Sequence, residues 1–230
     1  MIEHSQLQTP TLSINQIHEL VSPAVERLLG PRGFEVQKPL HWVRSEDAPI
    51  RQIFSIHQWK GGQVAPAWGV SLDFVPDFSG AGVKWHRTHK SAIFDLCVDA
   101  HDSDLDMPYT KGAGPMIERV EHVISHAILR AESFWSMASS LENLPAAIDW
   151  LKAYLSPGGL GLYRYTQAPL AIAFVLAKVG RSNEARLAFA QFLVRERLMV
   201  DTKREKLLAL LDNAIAEGGT NKVFRPPSGA

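Results

Sequence analysis

Apolar residues change their period near the middle of this chain, alternating in twos before about residue 100 and recurring at helical spacing after about residue 115. A period of two sends successive side chains to opposite faces of a strand, whereas a period near 3.6 gathers them on one stripe of a helix. The sequence therefore predicts an α+β fold: an N-terminal helix, a four-stranded antiparallel meander, and a helical C-terminal half of about five helices. Sheet precedes helix, so the helical half is available to cover the oily face of the meander.

The first helix is expected from Ser13, whose hydroxyl can accept from an early backbone amide while Gln16 reaches back to complete a capping box. Ile14, Ile17, Val21, Val25 and Leu28 then fall on one face. Pro23 removes a backbone donor and crowds the preceding turn, which predicts a kink or a restart with Ser22 as a new cap. From Phe34 the pattern alternates through Val36, Leu40 and Trp42, and a second strand is expected at about 50–60. Gly61-Gly62 supplies a tight reversal into a third strand carrying Trp68, Val70, Leu72 and Phe74, and residues near 83–99 should return as a fourth. A long amphipathic helix follows from Met116 to Phe134, with further helices at about 144–155, 167–179, 183–198 and 202–216. This organisation is read as an α+β domain over 1–139, a helical extension over 140–217 and a flexible tail over 218–230.

Within the extension, Ala173 and Ala177 fall in one helix, Gly180 in a turn, and Ala185, Phe189 and Phe192 in the next. Small residues at such positions let two antiparallel helices approach closely. On these residues 168–197 resemble a single tetratricopeptide hairpin. The N-terminal half, a helix followed by a meander, looks like bacterial α+β domains of unknown function, a likeness of layout that implies no role for any residue.

Lys and Arg number 24 and Asp and Glu number 24, so no global field favours nucleic acid or an anionic membrane. The start of the chain lacks the basic and apolar segments of a signal peptide, and nowhere do about eighteen apolar residues run unbroken. A cytoplasmic protein is the resulting expectation. Cys97 lies in the apolar run 92–98, where a buried thiol is expected rather than a nucleophile.

The sharpest polar cluster is Lys84-Trp85-His86-Arg87-Thr88-His89-Lys90. Arginine can hold an anion in two parallel hydrogen bonds, histidine can donate or shuttle a proton, and tryptophan can stack on a planar ligand. The candidate ligand-binding residues are therefore His57, Trp59, Trp85, His86, Arg87 and His89. The bland alternative is a solvated edge strand whose cations discourage pairing with another sheet. His122 and His126 stand four apart on an expected helix, but the His-Glu-x-x-His pattern is absent, so an exposed helix face is the better account and no metal is assigned. Asp102, Asp104 and Asp106 alternate like the start of a calcium loop, yet Met107 stands where glycine is needed. No nucleophile elbow, phosphate loop or dinucleotide fingerprint occurs.

With no catalytic set and no cofactor implied, the sequence points to a non-catalytic cytoplasmic interaction or adaptor protein whose partner is another protein, toxin neutralisation being one such role. The alternative is a binding protein or enzyme for a small anionic ligand, centred on the 85–89 cluster with His57.

Overall fold

A computed structural model describes residues 11–44, 49–59, 61–77, 82–84, 88–99, 103–154, 168–196 and 202–221. The first helix, α1 (Ile14–Leu29), begins at Ser13, whose backbone N–H donates to Gln16 Oε1 at 2.9 Å while its Oγ accepts from Gln16 N at 3.3 Å. The capping box satisfies amide donors that have no partner within the helix. α1 runs through Pro23 without a restart, and Ser22 bonds the ring of His18 at 2.9 Å instead of capping a new helix. Burial of Ile17, Val21, Val25 and Leu29 along one stripe outweighs the single amide bond that proline removes.

Among the described residues six strands follow rather than four: β1 (Phe34–Lys38), β2 (His41–Arg44), β3 (Ile50–Trp59), β4 (Gln63–Leu72), β5 (Leu96–Asp99) and β6 (Met107–Pro108). Their order is β1-β2-β3-β4-β5, with β6 paired to β4, and the β1–β2, β2–β3 and β4–β6 pairs are antiparallel. The extra strand near the start arises because Pro39 and Leu40 turn the chain between Lys38 and His41, which face each other. Proline first and a positive φ second, here 63° at Leu40, is the type II arrangement. The returning segment is shorter than the sequence suggests. Thr88 and Ser91 bond reciprocally around a 3-10 turn over His89–Ser91, and among the described residues of 83–99 only Leu96–Asp99 is a strand, with Lys84 making an isolated antiparallel bridge to Asp77.

The chain groups into two compact units: 1–46 with 53–68 and 99–133, and 47–52 with 69–98 and 134–230. In the first, Trp42 on β2 lies 6.3 Å from Phe54 on β3 and 5.5 Å from His18 on α1, so α1 covers the face that carries both rings. The helix α2 (Ala113–Met137) buries Val123, Ile124, Ala127 and Ala131, and it is tied to α1 by the Arg27–Glu121 ion pair and to the 3-10 turn that follows α1, Gly30–Arg32, by the Arg32–Glu132 pair. Trp42 and Trp68 are 1% exposed, which makes both core residues.

In the second unit, Arg51 donates to both carboxylate oxygens of Asp73, at 3.0 and 2.7 Å. Buried Asp95 accepts from Leu72 N at 2.7 Å. Gly69 allows β5 to come close, because a Cβ there would lie 2.0 Å from Leu96 O. Trp135 Nε1 donates to Gly69 O at 3.0 Å. The remaining helices among the described residues are α3 (Leu144–Tyr154), α4 (Ala168–Lys178), α5 (Ser182–Arg195) and α6 (Thr202–Asn221). Most of α4, eight of its 11 residues, is buried, as expected of a helix that packs against α3, α5 and α6 together. Gly180, at φ 75°, turns α4 into α5, and Ala173, Ala177, Ala185, Phe189 and Phe192 are all buried. Cys97 is a buried thiol on β5. Among the described residues no helix is long and apolar enough to cross a membrane.

Candidate functional site

Strand geometry places Ile53, Ser55, His57 and Trp59 on one side of β3, because alternate residues share a face. Phe54 occupies the opposite side, against Trp42 and α1. The face bearing His57 is polar in its middle. His41, directly opposite Ser55 on β2, meets the Ser55 hydroxyl at 2.5 Å through Nδ1, and both residues are buried.

Two residues further along β3, His57 Nδ1 lies 2.9 Å from Asp99 Oδ1 at the end of β5. A carboxylate only accepts, so the imidazole must carry its proton on Nδ1 and turn Nε2 away from Asp99. The His57 side chain is 36% exposed and that of Asp99 24%. Trp59, half-buried, is the next residue on the same side. Serine, histidine and aspartate thus occur together without forming a relay, because Ser55 is engaged by His41 while the carboxylate is engaged by His57. With 2% of Ser55 exposed, its hydroxyl is closed to a substrate. What the pair can do is hold an oriented imidazole beside an indole, an arrangement suited to a small planar or hydrogen-bonding ligand.

Of the six residues singled out from sequence, His57 and Trp59 come together on β3 in the first unit, and His89 begins the 3-10 turn of the second, half-buried. Trp85, His86 and Arg87 lie outside the described residues. His41 and Asp99 were not foreseen. Asp99 stands 42 residues from its partner, and only strand order brings the two together.

A second feature of the described surface is aromatic. On α3, Trp150 and Tyr154 stack with ring centroids 4.8 Å apart and planes inclined by 14°, and Phe134 sits 5.9 Å behind Trp150. Trp150 is 36% and Tyr154 49% exposed. Helical spacing explains the ridge: Leu144, Ala147, Ile148 and Leu151 take the core side, leaving positions 150 and 154 one turn apart outside it. Asp149 and Lys152 form an ion pair beside it at 3.3 Å.

No family model matches this chain, and neither a curated protein nor a solved structure matches it.

Proposed function

We propose that this is a non-catalytic cytoplasmic protein-interaction protein that meets another protein through the Trp150–Tyr154 ridge. The observation that supports it is the stack itself, a pair of large rings left in water on a helix whose opposite side already fills the core. Tryptophan and tyrosine dominate the centres of interfaces because each removes much apolar area from water with little loss of side-chain freedom. Charged Asp149 and Lys152 at the edge fit the polar rim of such a surface.

The test compares capture by purified protein and by the Trp150→Ala/Tyr154→Ala variant from a lysate of the source cells, with melting curves to check folding. A protein held stoichiometrically by the first and lost by the second supports the proposal, and its purified form should bind the single Trp150→Ala variant about 30-fold or more weakly. Equal capture by both, or no stoichiometric capture by either, overturns it.

The His57–Asp99 pair favours a second reading, a small anionic ligand held over Trp59. To hold an anion, His57 would donate from Nε2 toward the ligand while Asp99 accepts at Nδ1 behind it. Phosphorylated or acidic small molecules should then raise the melting temperature of the protein but not of His57→Ala. A panel that shifts neither protein removes this reading.

A further inference from the structure

The polar side of α2 carries a cluster outside both surfaces described above. His122 and His126 are exposed, opposite the buried Val123, Ile124 and Ala127, and their ring centroids stand 4.0 Å apart with planes inclined by 57°. Among the described residues, neither ring makes a hydrogen bond or ion pair that would explain the approach. Exposed imidazoles gain more hydration by separating than by touching, so the contact reflects the four-residue spacing that stacks one over the other on a helix face.

That same spacing suits a metal ion. A nitrogen–metal bond of about 2.0–2.1 Å puts two nitrogens on one ion roughly 3 Å from each other, within reach of these rings after small rotations about their side-chain bonds. We propose that His122 and His126 form a bidentate site for a divalent first-row transition-metal ion, with water completing its shell. Imidazole selects such ions over magnesium or calcium, which prefer oxygen ligands. Glu118, one turn before His122, adds negative charge on the same stripe. Among the described residues no group of three or more His, Cys, Asp or Glu converges, so the remaining coordination positions stay open to exchangeable ligands. The site is therefore an open clamp and not a closed structural centre.

The experiment uses full-length protein with no affinity tag, melted with and without Ni2+ or Zn2+, with Mg2+ as control. An ion that binds only the native helix should raise the melting temperature by about 3–6 °C at roughly ten times its Kd. His122→Gln and His126→Gln should each remove that rise while leaving the metal-free melting temperature unchanged, since both side chains are exposed. Two results overturn the proposal: no rise with either transition ion, or the same rise in both variants, which places the ion elsewhere.

Discussion

Leu40 shows how a single residue is held against its own preference. Its φ of 63° lies in the left-handed region, which costs a side-chain-bearing residue about 1–2 kcal/mol. Three contacts offset the cost. Its N–H donates to His18 Nδ1 at 3.3 Å, its carbonyl accepts from Ile56 N at 3.0 Å, and its side chain is 6% exposed. Because a backbone amide can only donate, His18 Nδ1 must be the acceptor, and the Ser22 hydroxyl therefore donates to the same nitrogen. Truncating Leu40 to alanine should lower stability by about 2–3 kcal/mol in urea unfolding, the usual range for a buried leucine. Glycine removes the same side chain but relieves the left-handed strain, so Leu40→Gly should be more stable than Leu40→Ala by about 1 kcal/mol, reversing the ordinary order. The ordinary order, alanine above glycine, would show that the strain is not there. Little of this was legible beforehand. Leu40 keeps the same parity as Val36 and Trp42, so its alternation passes unbroken through the turn that separates β1 from β2.

Elements were legible where local pattern alone builds them. Ser13 and Gln16 mark the start of α1, and the stripe from Met116 to Phe134 marks α2, because capping and helical periodicity involve neighbours in the chain. The helix does not restart at Pro23 because the cost of a missing amide bond is local while the burial that opposes it runs along the whole helix. The candidate site divides in the same way. His57 and Trp59 share a face by their two-residue spacing, but Asp99 joins them only through the order of strands. A local device also sets a pH dependence at α5. The hydrogen bond from the Arg181 side chain to Glu184, in the first turn, holds the Glu184 carboxyl below its usual range and raises the arginine. A depressed carboxylate contributes stability above its unfolded pKa and loses it as pH falls through the folded value. Glu184→Gln should therefore lower the melting temperature slightly at pH 7, with the difference closing below about pH 4 and in high salt, since the pair is exposed. A difference that persists at pH 2 would mean the side chain acts by packing instead.

At the scale of the whole molecule, chain order and compact grouping diverge. The second unit gathers 69–98 with 134–230, while the first gathers 1–46 and 53–68 with 99–133, so neither unit is one continuous stretch. A cut between 139 and 140 therefore leaves the whole first unit but divides the second. The retained part would keep the Trp135 bond to Gly69 and lose Trp150 from beside Phe134 and Lys178 from its place 6.0 Å over the Phe74 ring. It would also keep Arg51 with Asp73 and Asp95 with Leu72, polar groups whose burial depends on apolar cover. A fragment of 1–139 should consequently bind a hydrophobic dye through the divided second unit and unfold in a shallower transition than the full chain. Adding residues 140–230 as a separate chain should restore the steeper transition if cover is all that is missing, because the covalent link contributes only effective concentration. A 1–139 fragment with a sharp melt near that of the full chain would instead show that its core is complete without the helices α3 to α6.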